Sequence, residues 1–385
     1  MISISLIVIA ACTLVVATVI GLDFQFGIRR IDNLQQQPPQ WGKELPMVSV
    51  IVPARNEERQ IEQALRSLLR LDYPRLEITV VNDRSTDGTG AILARMKAFD
   101  PRLNIVSIEQ LPQGWLGKNH AMQYGADRSR GEWLLFTDAD VVFEPTVLRR
   151  AIPFALRNRL DHLTMAPDTC MPGWFLQSFV VCFAFYFYAY LRPWKVRDQR
   201  SSTHLGIGAF NLVRREHYRA AGGHAALAMR PDDDLKLAKV LKRCGGRAEC
   251  LNGMGMISVE WYSSFRELVV GLEKNTFAVA EYQVAMVAAT SLAVFMMHVW
   301  PFLAVGIYSG VAWWLNLGSI AILLSLVAQT ANLQRMSPWR SLALPFAAAT
   351  MIWIQWRSML IALRSGGIRW RDTHYALREL RANRV

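Results

Sequence analysis

The sequence predicts an α/β domain with a mostly parallel sheet, tethered by an N-terminal transmembrane helix and further transmembrane helices near its C-terminus. Three observations carry this. Apolar stretches about as long as a bilayer core is thick stand at both ends of the chain. Between them, short β-branched runs alternate with amphipathic stretches at helical spacing, the pattern of parallel strands joined by crossover helices. The unusual polar residues fall just after those runs, where open α/β sheets bind ligands.

Met1 to Leu22 is nearly all apolar and uncharged, and Arg29 and Arg30 follow it rather than precede it. A signal peptide has the opposite order. The expectation is an uncleaved anchor with its C-terminal side in the cytoplasm, as in an integral protein of a bacterial inner membrane whose large domain is cytoplasmic. Residues 23–46 form a linker broken by Gln35, Gln36, Gln37, Pro38 and Pro39. Residues 47–281 then read as one domain. Val48 to Val52 is a strand, and Asn56 is placed to cap a helix that carries Ile61, Leu65, Leu68 and Leu69 on one face. Ile78 to Val81, Asn104 to Ile108 and Trp133 to Thr137 are further strands, with helices near Ile92 to Phe99 and Asn119 to Ser129.

Trp174 to Leu191, rich in Phe and Tyr, is long enough to span, yet acidic motifs lie on both sides of it. It reads as an interfacial or re-entrant helix, or as a buried helix of the domain. Val284 to Tyr308, Val311 to Thr330 and Leu342 to Leu363 are three candidate spans. The tail, residues 364–385, carries Arg364, Arg369, Arg371, Arg378, Arg381 and Arg384. Three spans would leave these outside, against the positive-inside bias, unless one segment is re-entrant.

The 385 residues are 52% hydrophobic with a formal net charge of +12, which excludes a disordered chain. The basic residues cluster beside membrane segments, which suits a lipid bilayer with anionic headgroups and gives no reason to expect a nucleic-acid partner. Five cysteines without a C-x-x-C pair exclude a disulfide scaffold or a zinc site and fit a reducing compartment.

Four polar clusters occupy the strand ends: Pro53-Ala54-Arg55-Asn56-Glu57, Asn82 to Thr89, Thr137-Asp138-Ala139-Asp140, and Asp232-Asp233-Asp234. Asp138 and Asp140 are oxygen donors of the kind a hard divalent cation prefers, and Mg²⁺ takes one or two carboxylates plus substrate phosphates. Lys118 follows Gly117 near a helix start, a favourable place for a phosphate contact. Three adjacent aspartates also suit a helix N-terminus on dipole grounds alone.

Taken together, P-A-R-N-E, V-V-N-D-R-S-T-D-G-T, G-K-N-H-A and D-A-D resemble the family-2 glycosyltransferases with a GT-A fold, Rossmann-like and mostly parallel, over roughly Met47 to Asn275. The chain is further similar to a membrane-bound subgroup that includes ceramide glucosyltransferases and hopanoid- and carotenoid-associated enzymes. Gly114 to Asn119, Gly208 to Arg215 with Gly222 and Gly223, the D-D-x-x-L-A spacing at Asp233 to Ala238, Lys274-Asn275 and Trp370 to Tyr375 carry that resemblance. It implies that Pro53, Arg55 and Glu57 line the nucleotide pocket, that Asp83 contacts the base, that Asp138 contacts the nucleotide sugar, and that Asp140, with Asp138 second, ligates a divalent cation (Mg²⁺ or Mn²⁺). Transfer needs a base for the acceptor hydroxyl. The D-D-x-x-L-A register selects Asp234, with Asp233 next, whereas an E-D-x-D-L register selects Asp232.

The expected function is therefore inverting transfer of a single sugar from a nucleotide sugar, with a UDP-sugar as donor and a membrane lipid as acceptor. Two alternatives stand beside it: a processive polysaccharide synthase, and a non-catalytic membrane protein that binds nucleotide sugar. Gly271 to Thr276 stands where many membrane members, the ceramide and processive polysaccharide enzymes included, carry Q-x-x-R-W or a near variant, and this departure argues against the first. The complete aspartate set argues against the second.

Overall fold

The structure, a computed structural model, describes residues 2–41, 44–370 and 373–385; Arg371 and Asp372 of the tail motif lie outside the described residues. The chain forms two compact units. One holds Ile31–Thr169, Pro193–Glu260 and Ala382–Val385, and the other holds Met1–Arg30, Cys170–Arg192 and Trp261–Arg381. The predicted catalytic domain runs on to residue 281, whereas the first unit's main segment ends at Glu260.

After α1 (Ile2–Ile28) the first unit alternates β1 (Val48–Ala54), α2 (Ile61–Leu69), β2 (Leu76–Asp83), α3 (Thr89–Phe99), β3 (Leu103–Ile108), α4 (Gly117–Arg128) and β4 (Trp133–Phe136). Then come β5 (Val141–Phe143), α5 (Val147–Arg157), β6 (His162–Ala166) and β7 (Asp168–Cys170). After α6 (Trp174–Tyr186), β8 (Asn211–Arg214), α7 (Arg215–Ala220), α8 (Asp233–Arg243), β9 (Ala248–Asn252) and β10 (Ile257–Glu260) complete it.

Seven strands form one sheet in the order β3-β2-β1-β4-β8-β6-β9. β1 pairs parallel with β2 and β4, β2 with β3, and β6 with β9, while β8 runs antiparallel between β4 and β6. β1 and β4 read as continuous apolar runs because both faces are covered. Val50, Val52, Leu135 and Phe154 join one core, and Ile51, Leu134, Phe136 and Leu237 the other.

This topology positions the site. The parallel strands β1, β2 and β4 carry Arg55, Asp83 and Asp138, at or just past their C-terminal ends, to one edge of the sheet. The antiparallel β8 brings the segment before its first residue, Gly206 to Gly208, to that same edge. One local expectation fails. Asn56 caps no helix; it takes a left-handed turn (φ 55°), its side chain accepts from the Thr86 N–H at 2.8 Å, and the helix starts only at Ile61.

Among the described residues, four helical stretches are long and apolar enough to cross a membrane: Ile4–Ile28, Trp174–Lys195, Val311–Leu333 and Pro338–Ser365. The second stretch cannot be a simple crossing. β8, after it, pairs with β4 and β6, before it, and strands of one sheet cannot lie on opposite sides of a bilayer. The sequence reading of a helix that enters and returns, or lies flat, meets this condition.

The span predicted over Val284 to Tyr308 is two helices, α10 (Val284–His298) and α11 (Trp300–Ile307), parted at Val299 with Pro301 in the first turn of α11. Proline lacks the N–H that would continue the ladder. α9 (Phe265–Val279) meets α10 at 113°. α12 (Val311–Leu333) and α13 (Leu344–Ser365) match the other two predicted spans, and a hairpin of β11 (Gly367–Trp370) and β12 (Thr373–Ala376) leads to α14 (Leu377–Ala382).

Candidate active site

Two groups of charged side chains form at the sheet edge. In the first, Asp83 ends β2 buried, and Arg84 grips both its carboxylate oxygens, Nε to Oδ1 at 2.7 Å and Nη2 to Oδ2 at 3.0 Å. Arg55 Nη1 stands 3.8 Å from Asp83 Oδ2. A side chain at Gly117 would strike the Asp83 carboxylate, so the first residue of α4 must be glycine for the helix to start there. Pro53 lies within β1 opposite Val81. Glu57 is fixed by its backbone N–H, which donates to Thr89 Oγ1 at 2.8 Å.

The second group joins three elements. Lys118, one residue into α4, places Nζ 2.8 Å from Asp138 Oδ1 and 3.5 Å from Asp233 Oδ2. Burial works against its charge, but the carboxylates of Asp138, Asp233 and Asp234 outweigh burial and raise its pKa, so it stays an ammonium. Burial raises Asp233 above the ordinary carboxylate value in spite of Lys118, with Asp234 and Asp138 adding repulsion. Burial likewise raises Asp234.

Gly208 links the D-x-D turn to the acidic helix. Its N–H donates to Asp234 Oδ2 at 2.9 Å, and its carbonyl accepts from the Asp138 N–H at 3.1 Å. A Cβ at Gly208 would sit 2.5 Å from Asp138 Oδ2, closer than a side chain tolerates. Thr137 Oγ1 donates to the Ala209 carbonyl at 2.8 Å, closing the same junction.

The three aspartates of the acidic run are not equivalent. Asp232 is buried and held by Arg230, Nε to Oδ1 at 2.8 Å and Nη2 to Oδ2 at 2.9 Å, with Lys236 Nζ at 3.8 Å. It is a structural ion pair, which disfavours the register that would make it the base. Asp233 and Asp234 sit in the first turn of α8, so the dipole reading also holds for them.

Asp140 behaves differently from the other carboxylates. Burial, then the charges of Asp138 and Glu57, push its pKa up, and its Oδ1 is buried without a hydrogen-bond partner. An orphaned acceptor beside two like charges fits a divalent cation. Among the described residues no three His, Cys, Asp or Glu side chains are preassembled as a metal cage. A cation here would be held by Asp140 and Asp138 and completed by ligands from a substrate.

The sequence reading did not single out the roles of Gly206, Gly208, Arg230 and Asn119. The signals were present: glycines ahead of a buried strand, a basic residue two before an acidic run, and a polar residue at a helix start. Their partners are distant in sequence, so no local pattern names them. His120 is wedged between Trp115 and Tyr124, with ring centroids 5.4 and 5.8 Å away.

A mostly parallel sheet carries a D-x-D turn, a lysine bridge and an acidic helix at its carboxyl edge. Residues 49–222 match the Glycosyl transferase family 2 model. The chain is 40% identical over 121 residues to the probable glycosyltransferase YdaM of Bacillus subtilis, covering 30% of this chain and 29% of that protein. It is 25% identical over 244 residues to a 4,4'-diaponeurosporenoate glycosyltransferase of Staphylococcus haemolyticus, covering 61% and 62%. The matched part thus spans less than two thirds of these relatives' length. A mannosyltransferase from Pyrobaculum calidifontis, solved with GDP-Man and Mn²⁺, shares the fold with a TM-score of 0.54 at 19% identity, over 93% of this chain and 98% of that one. The GT-A fold expected from the resemblance is the fold observed.

Proposed function

We propose that this chain is a membrane-bound inverting glycosyltransferase that moves one sugar from a nucleotide sugar, a UDP-sugar by the family resemblance, to a lipid hydroxyl. The observation that carries this is the Lys118 bridge, which sets the D-x-D turn and the Asp233–Asp234 pair on one cation. Asp140 and Asp138 would hold a divalent cation, which when bound would neutralise charge on the departing diphosphate; the Pyrobaculum neighbour was solved with Mn²⁺. Lys118 adds a fixed positive charge on the same side. The acceptor oxygen attacks the anomeric carbon, its proton passes to an Asp234 carboxylate oxygen, and the carbon–oxygen bond to the diphosphate breaks with its electron pair leaving on the nucleotide. The raised pKa of Asp234 suits a group that must take up a proton.

The lipid acceptor is supported by the apolar helices and by the carotenoid-associated relative. The test is incubation of purified protein in liposomes with radiolabelled UDP- and GDP-sugars, followed by chloroform extraction. A lipid bearing one sugar is expected. Water-soluble polymer, or equal transfer to soluble acceptors without lipid, overturns the reading.

A membrane topology accompanies this reading. α1 and α12 run parallel: Leu14 lies at Gly318, Gly21 at Ile322 and Leu326, and Gln25 bonds Gln329 at 2.7 Å. Both helices then end on the same side. The arrangement proposed has α10 and α11 cross outward and α13 stay at the inner surface, which would bring the arginine-rich tail inside. An impermeant maleimide applied from outside should label Ser309→Cys and spare Arg335→Cys; the reverse result rejects the arrangement.

A further inference from the structure

We propose that Asn119 is a positioning residue for sugar transfer, holding the turn that carries Asp233 and Asp234 at a fixed place relative to Lys118 and Asp138. The inference rests on the reading of Asp234 as the base.

Asn119 is fully buried at the start of α4, immediately after Lys118. Its Nδ2 donates to the Leu227 carbonyl at 2.6 Å and the Arg230 carbonyl at 2.8 Å, with the Ala228 carbonyl at 3.4 Å. The Leu116 N–H adds a backbone bond to the Ala228 carbonyl at 2.8 Å. The segment bearing Lys118 is thus stitched to residues 227–230 from one side. Arg230 passes the constraint on, since its guanidinium grips Asp232, the residue just before α8, and Asp233 and Asp234 are the next two residues.

The chemistry of the side chain is specific. Three carbonyls converge on the amide nitrogen, whereas Oδ1 is buried without a partner. The site uses only donors, so a carboxylate of the same size would face the carbonyl oxygens with repulsion, and an apolar side chain would leave them unpaired. No such arrangement is needed to build α4, whose remaining turns are held by ordinary helix bonds. What it fixes is the separation between the cation and carboxylates at the site, where a shift of about 1 Å can cost on the order of 100-fold in rate.

The test uses the full chain in nanodiscs, comparing Asn119→Leu and Asn119→Asp with Ser67→Ala. Ser67 is a buried hydroxyl of α2 bonded to Ala64 and Phe143, outside the site. Hydrogen exchange reports the tether without any substrate: peptides covering 227–235 should exchange at least tenfold faster in both Asn119 variants, while those covering β1 and β2 stay unchanged. In transfer from UDP-[14C]glucose to extractable lipid, Asn119→Leu should lower kcat about ten- to a hundredfold and leave donor KM within about twofold. On an Asp234→Asn background the same substitution should change kcat by less than twofold. Equal falls on both backgrounds would mean that Asn119 does not act through Asp234 and would overturn the proposal, as would unchanged exchange over 227–235. If no nucleotide sugar supports transfer, the functional reading falls, and the exchange data still decide whether the tether exists. If Asn119→Leu does not fold, Asn119→Ser, which keeps one donor, carries the same measurements and should show intermediate values.

Discussion

The D-x-D turn after β4 and the acidic run at the start of α8 look alike in sequence, each a short cluster of aspartates beside an apolar segment. In space they are opposites. In the turn, Asp138 is paired with Lys118 and Asp140 has an oxygen with nothing to bind. In the run, each carboxylate is engaged: Asp232 by Arg230, Asp233 by Lys118, and Asp234 by the Gly208 N–H. An unsatisfied buried acceptor is costly unless something completes it. On the proposed function the turn is the part that would take up a ligand from outside, and the run is the frame around the group that would accept a proton.

The largest effect is expected at the unsatisfied carboxylate. Asp140→Ala should abolish sugar transfer and most metal-dependent binding of the donor, with the fold retained, since it removes a buried carboxylate whose Oδ1 has no hydrogen-bond partner. Full turnover in excess EDTA, or unchanged turnover of the variant, would show that the turn holds no essential cation.

Next in size is the split within the acidic run. Asp234→Asn should lower kcat by about 10² to 10⁴-fold, the usual contribution of a positioned base, with donor binding kept in calorimetry. Asp232→Asn should act on stability instead. It leaves Arg230, 1% exposed, beside a neutral partner, and breaking a buried pair in this way costs about 3–5 kcal/mol. Thermal unfolding would read this as a clear drop in Tm. If Asp232→Asn is inactive yet as stable as the parent, and Asp234→Asn is active, the E-D-x-D-L register is correct.

How much of this was legible in the sequence has physical reasons. The strands could be read because β1, β2 and β4 are buried on both faces and stand out as apolar runs, and the acids stood out because they come directly after those runs. The antiparallel insertion of β8 was not legible, because nothing local separates a buried antiparallel strand from a parallel one. The roles of the three aspartates were equally hidden, since they depend on Arg230, Lys118 and Gly208, which only the tertiary fold brings near. The break at Val299 was visible in Pro301 but was overridden by the length of the apolar run around it.

The smallest effect is one that would otherwise blur the comparison. Acid protonates the carboxylates of both clusters, and a loss of activity at low pH would be credited to them. Yet His162 on β6 titrates in the same window. It is fully buried, its Nε2 lies 2.8 Å from Asn211 Oδ1, and burial lowers its pKa from the model-compound 6.5 to about 4, against the help of Asn211. Between those values the unfolded chain binds a proton that the folded one does not, so stability falls as pH drops through 6.5 and the loss levels off below about 4. By linkage this one residue should cost roughly 2 kcal/mol at pH 5 relative to pH 7, which corresponds to about 2–3 °C in Tm for a protein of this size. Asn211 opens β8, just after the Gly206–Gly208 segment, so acid strain at His162 reaches the junction between the two clusters. His162→Gln keeps an amide that can face Asn211 and does not titrate. Its Tm difference between pH 7 and pH 5 should be smaller than that of the parent by about that amount. An undiminished difference would assign the acid sensitivity to the carboxylate clusters themselves.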